Sequence, residues 1–245
     1  MIGKVQQRFN SIDSTNKYAI ELLSKIRPKE GTAIIADFQT DGKGQVDSKW
    51  QSNSNENILM SIILYPESLA VTNQYLMSCM ISLSIRSVLS SILIDREIKI
   101  KWPNDILCGD KKIAGILIHN TLKGKKLKSS VVGMGININQ SYFPSDIPNA
   151  TSILLESGVA VQIEEVRELL FEELDKRYNN LYENEAKMRQ EYLQNMYGLG
   201  VEKNFQRANG LIFNGRIAGI DGQGFLIIDG PSGTEKFDVK QITHL

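Results

Sequence analysis

Three short stretches gather side chains that can bind and neutralise a ligand: Ser14-Thr15-Asn16; Gln39-Thr40-Asp41-Gly42-Lys43-Gly44-Gln45, in a loop ending at Trp50; and Lys101-Trp102-Pro103-Asn104-Asp105. Hydroxyls and amides suit recognition of an uncharged polar head, because they supply both hydrogen-bond donors and acceptors. Lysines suit a carboxylate or phosphate, and an indole suits a flat ring. Alone, Ser14-Thr15-Asn16 is explained by helix capping, Gly42-Lys43-Gly44 by a plain turn, and Gly133-Met134-Gly135 by close packing of a strand. Lys101 to Asp105 asks for more, since a turn needs the proline and asparagine but not the lysine, tryptophan and aspartate around them.

Composition narrows the chemistry. Lys plus Arg and Asp plus Glu both total 28, so no net field draws the molecule to a polyanion, and nucleic acid is not the expected partner. His119 and His244 lie far apart, and Cys79 and Cys108 lack metal-ligand spacing, which argues against a zinc centre and leaves two buried thiols. No apolar run approaches the ~20 residues that span a bilayer, and Met1 to Arg8 carries no signal-peptide core. A cytoplasmic chain without membrane attachment is the expectation.

Elements must hold these stretches in place. Apolar spacing predicts a helix over Thr15–Ile26, capped by Asp13 or Ser14, then a buried strand over Thr32–Phe38. The polar segment from Gln39 to Glu56 is a long loop, of a length that usually carries function. Strands are expected at Asn57–Tyr65, Ile98–Lys101, Asp105–Cys108, Ile113–Asn120 and Ser129–Ile138, with a helix at Asn73–Leu93 and one or two within Glu164–Met196. Beyond Gly198, segments at Leu211–Phe213, Arg216–Ile220, Phe225–Ile228 and Phe237–Val239, with turns at Asn214-Gly215 and Asp221–Gly224, predict a small β module. The division falls between a domain of residues 1–197 and one of residues 198–245.

In combination these motifs resemble the biotin protein ligases, relatives of the lipoate ligases and class II aminoacyl-tRNA synthetases. The likeness runs in order through Ser11 to Asn16, Gln39 with the glycine loop and Trp50, Lys101 to Asp105, Lys112 to Leu117, Gly135 to Asn139, Ala150-Thr151-Ser152 and the C-terminal module. No winged helix precedes the first motif, so the ligase-only form is expected. The resemblance implies an α+β fold: a mixed, largely antiparallel sheet flanked by helices, followed by a small all-β Src-homology-3-like barrel. It also implies that ATP, with Mg2+, activates biotin as biotinyl-5′-adenylate, and that a lysine of a biotin carboxyl carrier protein then receives it. Homodimerisation through sheet edges is a further implication.

By the same resemblance, Ser14, Thr15, Asn16, Gln39, Lys43, Gly44, Gln45, Lys101 and Gly115 contact biotin. Gly42, Lys43, Trp50, Asn104, Lys112 and Asn137 contact ATP, Lys101 is the catalytic cation, and Asp105 orients the acceptor lysine. The glycine loop departs from the usual Gly-Arg-Gly-Arg-x-Gly-Arg-x-Trp: Lys43, Gln45 and Ser48 replace arginines and Asp47 replaces a glycine. Lysine lacks arginine's planar fork, so a looser grip on the adenylate is expected. A lipoate or octanoate ligase, and a non-catalytic biotin sensor, are the alternatives.

Overall fold

The computed structural model of the chain describes residues 1–45, 48–147 and 149–244, with His244 described by its backbone alone. Strands β1 (Gln6–Phe9), β2 (Ala33–Ala36), β3 (Asn57–Leu64), β4 (Ile98–Lys101), β5 (Asp105–Cys108), β6 (Lys111–Lys123) and β7 (Lys126–Asn137) form one sheet, in the order β1-β2-β3-β7-β6-β5-β4. Strands β1 and β2 run parallel; every other neighbouring pair is antiparallel. The central strand β3, Asn-Ile-Leu-Met-Ser-Ile-Ile-Leu, is buried at all eight positions, as a strand covered on both faces must be.

Helix α1 (Thr15–Lys25) covers one face through Ala19, packed with Ile34, Ile63 and Val131. Its start follows from the sequence: Ser14 is the N-cap and accepts from Lys17 N, while Asp13 accepts from Ser14 N and pairs with the Lys17 ammonium at 2.7 Å. Helices α2 (Tyr75–Ile92), α4 (Ile163–Asn179) and α5 (Glu185–Gln194) cover the other face, and the short α3 (Ile153–Ser157) follows the 150–152 segment. The expectation about apolar runs needs correction. Val71–Ile92 spans 22 residues at mean hydropathy 1.4, enough by length and composition to cross a bilayer. Here it is a core helix, with Leu76, Met77, Met80 and Ile81 fully buried.

The C-terminal strands β8 (Glu202–Arg207), β9 (Ile212–Ile220), β10 (Leu226–Gly230), β11 (Gly233–Phe237) and β12 (Ile242–His244) form an antiparallel sheet in the order β11-β10-β9-β8-β12. Asn214-Gly215 is not a turn. Both residues lie inside β9, paired with Asn204 and Lys203, and the glycine is needed because a Cβ there would stand 2.8 Å from Ile228. The strand expected at Phe237–Val239 ends at Phe237 instead, and β1, β8, β12 and α3 carry no apolar period strong enough to have been found.

The two sheets share one core, which runs from Ile58 and Met80 through Met196 to Phe205 and Leu226. One directed bond joins them at the tryptophan motif. Asp221 Oδ1 accepts from the backbone N–H groups of Gln223, Gly224 and Phe225, shaping a turn that presents the Gly224 carbonyl to Trp102 Nε1 at 2.9 Å. The outer edge of β4 is covered as well, because Ile100 exchanges backbone bonds with Asn195 and Tyr197. Trp102→Phe leaves the Gly224 carbonyl without its donor, a loss of about 1–3 kcal/mol. The melting temperature is expected to fall by roughly 2–4 °C per kcal/mol, and calorimetry showing no fall would remove this bond as the tie between the sheets.

Candidate active site

A cleft of about 760 Å³, open mouth included, lies over the β3-β7-β6-β5 part of the sheet, on the face that carries α1. Its floor is almost bare of side chains. Gly115 and Gly135 are cross-strand partners, and Gly133 pairs with Leu117 one step along, so three glycines share one face of two neighbouring strands. Each vacancy is used. A Cβ on Gly135 would stand 2.3 Å from the indole of Trp50, one on Gly115 would stand 2.9 Å from it, and one on Gly133 would stand 2.6 Å from Asn16 Nδ2.

At one end α1 delivers a polar cluster. Gln39 Oε1 accepts from Thr15 N at 2.8 Å and from the Thr15 hydroxyl at 3.1 Å, and that hydroxyl lies 2.9 Å from Ser61 Oγ. These bonds fix the Gln39 amide, and no described residue takes its Nε2 donors. Asn16 Nδ2 donates to the Leu117 carbonyl at 3.1 Å, which leaves Asn16 Oδ1 as a fixed acceptor. Ser14, Thr15 and Asn16 are all buried, so a polar ligand head meets oriented groups rather than water.

The other end is cationic and aromatic. The 39–50 loop folds back over the sheet through Gly44 N to Ser48 O, Trp50 N to Gly42 O and a bridge between Lys43 and Lys49. Trp50 is thereby laid on the glycine floor with Lys112 Nζ 5.7 Å from its ring centroid. Its indole Nε1 is buried and has no hydrogen-bond partner among the described residues, an orphan donor inside the cleft. Among the described lining residues, Lys43, Lys49 and Lys112 face a single carboxylate, Asp105. Lys112 Nζ is 2.6 Å from Asp105 Oδ1, but the alignment is not that of a hydrogen bond, so this buried oxygen keeps its acceptor capacity. The exposed Asp41 carboxyl is held below the usual carboxylate range by a hydrogen bond from Lys43, 2.7 Å away.

Of the residues singled out from the sequence, the cleft lining brings together Ser14, Thr15, Asn16, Gln39, Lys43, Gly44, Gln45, Trp50, Asn104, Asp105, Lys112 and Gly115. Gly42, Lys101 and Asn137 stand outside it. Gly42 is a hinge post, where a Cβ would meet the Trp50 carbonyl at 2.5 Å. Asn137 is buried and donates to the Thr151 carbonyl at 2.9 Å, anchoring the 150–152 segment; its Oδ1 has no hydrogen-bond partner among the described residues. Lys101 ends β4 directly across from Asp105, so its stem leaves the sheet on the same face, one strand beyond the cleft wall. Asn104 locks that wall by donating to the Ile116 carbonyl at 2.7 Å. Asp47 lies outside the described residues. Ser61, Met60, Lys49 and Leu117 were missed: Lys49 had a signal in its place beside Trp50, whereas Ser61 reads only as part of an apolar strand. The thiols take no part, since burial pushes Cys79 up to about 12 and Cys108 up to about 11.

Residues 8–137, which carry every residue singled out for the site, match the model of the biotin/lipoate A/B protein ligase family, and residues 199–239 match that of the biotin protein ligase C-terminal domain. The chain belongs to the biotin/lipoate A/B protein ligase family. It is 33% identical over 230 residues to the bifunctional ligase/repressor BirA of Bacillus spizizenii, covering 92% of this chain and 69% of that one. It is 29% identical to the biotin--[acetyl-CoA-carboxylase] ligase of Paracoccus denitrificans, covering 94% of this chain and 96% of the relative. Among solved structures, the biotin protein ligase of Aquifex aeolicus in complex with biotin and ATP superposes with a TM-score of 0.79, at 25% identity and 99% coverage of both chains. Within this family fold, the floor glycines act by what they leave empty. Gly135→Ala is expected to displace Trp50, raising its quenching by acrylamide in a Trp102→Phe background; unchanged quenching would show that the indole does not rest on β7.

Proposed function

We propose that the protein is an ATP-dependent biotin protein ligase, which joins biotin to AMP and then passes the biotinyl group to a lysine of a biotin carboxyl carrier protein. The observation that carries this reading is one cleft with a directed polar cluster at one end and lysines around an indole at the other, built from the family's motifs. A ureido ring offers one carbonyl and two N–H groups. Gln39 Nε2 suits the carbonyl, while Asn16 Oδ1 and the Ser14 hydroxyl suit the N–H groups. The glycines let the Trp50 indole and the Asn16 amide lie low against the sheet, which leaves the cleft above them for a valeryl chain.

In the first step a biotin carboxylate oxygen bonds to the α-phosphorus of ATP and the bond to the β-phosphate oxygen breaks, releasing pyrophosphate. Two anions must meet, and preorganised cations lower the barrier to that encounter. Lys112 inside the cleft and Lys101 one strand away are the groups for this work. Trp50 stacks on the adenine or walls it from water, and its orphan Nε1 gains a partner from the nucleotide. Asp105 is the only carboxylate among the described lining residues, which fits a Mg2+ ion carried on the triphosphate's own oxygens, where it would screen phosphate charge. The adenylate is a mixed anhydride that water destroys, and the loop folded across the cleft shields it. In the second step the acceptor amine nitrogen bonds to the biotinyl carbonyl carbon and AMP departs with the C–O electron pair.

Pyrophosphate exchange driven by biotin, and not by lipoate or octanoate, is the expected signature; exchange with lipoate instead would make the protein a lipoate ligase. Lys101→Ala and Lys112→Ala are each expected to lower that exchange by about 10²–10³-fold, with the fold intact by circular dichroism. Lys43 is half exposed and tied to Asp41, so it closes the cleft weakly. Free biotinyl-adenylate is expected to leak faster than from an arginine-rich relative, and Lys43→Arg is expected to slow the leak. Equal leakage in both would show that position 43 does not hold the intermediate.

A further inference from the structure

The Lys112–Asp105 pair closes on itself inside the cleft. Asp105 sits on β5 with Lys101 as its cross-strand partner on one side and Gly115 on the other. Its Oδ1 is buried and receives no hydrogen bond from the described residues, and its near neighbour is the Lys112 ammonium at 2.6 Å. Lys112 in turn reaches in over Trp50 and over Gly115, close enough that a Cβ on that glycine would stand 3.4 Å from Nζ. The side chains are 37% and 25% exposed, so neither is locked by packing. The pair therefore holds two things that the ligase reaction needs apart: the cation that an acyl-phosphate attracts and the carboxylate that an acceptor ammonium attracts.

We propose that Lys112 is a gate: it masks Asp105 while the cleft is empty, turns to the α-phosphate as biotin attacks it and stays on the adenylate, exposing Asp105 to the carrier lysine. In this scheme, which rests on the ligase reading above, Lys112 meets the phosphate and Asp105 meets the acceptor amine directly. The physical cause is competition for one ammonium. A phosphate group placed over Trp50 draws Lys112 along the cleft floor, and the bare glycine at 115 leaves its stem free to swing. Asp105 is then a carboxylate with a partly buried, unpaired oxygen, which strongly favours an incoming ammonium. The ammonium of the acceptor lysine binds there and passes one proton through Asp105 to water; the neutral amine nitrogen then bonds to the biotinyl carbonyl carbon and loses a second proton by the same route, as AMP leaves with the C–O electron pair. The scheme orders the reaction: the carrier lysine is held only when an activated acyl group is present to receive it.

Affinity for an unbiotinylated carrier domain should therefore depend on what fills the cleft. With the wild-type protein at mildly alkaline pH, a non-hydrolysable biotinyl-adenylate analogue is expected to tighten carrier binding about tenfold, the effect of ~1.4 kcal/mol of coupling, and a carrier whose acceptor lysine is changed to glutamine should show no tightening. Lys112→Met should bind the carrier equally with and without the analogue, at the tight value; Lys112→Arg should restore the difference; Asp105→Asn should bind equally, at the weak value. Full tightening retained in Lys112→Met overturns the gate. Biotin-driven pyrophosphate exchange, measured on the same samples, separates the two ideas. Its absence in the wild-type protein sinks the ligase reading, whereas its presence beside unchanged coupling sinks only the gate.

Discussion

A binding cleft exists in this sheet because three positions on one face of two adjacent strands carry no side chain. Elsewhere the β3-β7-β6 region is packed on both faces with isoleucine, leucine, valine and methionine, as a central sheet region must be. At Gly115, Gly133 and Gly135 that packing is withheld, and the space goes to an indole from the 39–50 loop and an amide from α1. Both arrivals depend on the vacancy. A methyl group at 135 would fall within the Trp50 ring, and one at 133 would fall on the Asn16 amide. The loop's course, the polar cluster and the Lys112–Trp50 contact all follow from it.

The stability and the chemistry of the molecule are placed on opposite faces. Helices α2, α4 and α5 bury the large core, where Tyr75 and Tyr192 satisfy each other's hydroxyls at 2.8 Å. The α1 face carries a small apolar cluster under the helix and, beyond it, the groups that bind. Of the buried polar atoms without a hydrogen-bond partner among the described residues, Trp50 Nε1 and Asp105 Oδ1 lie in the cleft, where a ligand can complete them. The C-terminal sheet contributes indirectly, by holding Trp102 and so the turn that carries Asn104 and Asp105.

Much of this was legible beforehand. Apolar period placed α1, β3, β4, β5 and α2 within a few residues, because buried faces impose a spacing that a sequence shows directly. Capping chemistry offered Asp13 or Ser14 for the first turn of α1, and Ser14 is the cap, which brings Thr15 and Asn16 to the cleft. Short or polar elements were harder: β1 reads Gln-Gln-Arg-Phe and exists because β2 offers it a parallel edge, a reason that lies outside its own residues. Gly215 misled because a glycine that permits close approach looks, in sequence, like one that permits a turn.

By itself the sequence determined which residue types could bind a polar head and an anion, the order of the motifs and the α+β class, since these depend on local spacing and side-chain chemistry. Only the tertiary structure decided which lysine stands inside the cleft. Lys101 and Lys112 are equally charged in sequence, yet β4 is the edge strand and the start of β6 lies beside Gly115, so Lys112 lines the wall and Lys101 stands one strand out. The pairing of Asp105 with Lys112, the seat of Trp50 on Gly135 and the link of Gln39 to Thr15 and Ser61 are contacts between residues distant in sequence. They are set by strand register and helix placement, which no local pattern encodes.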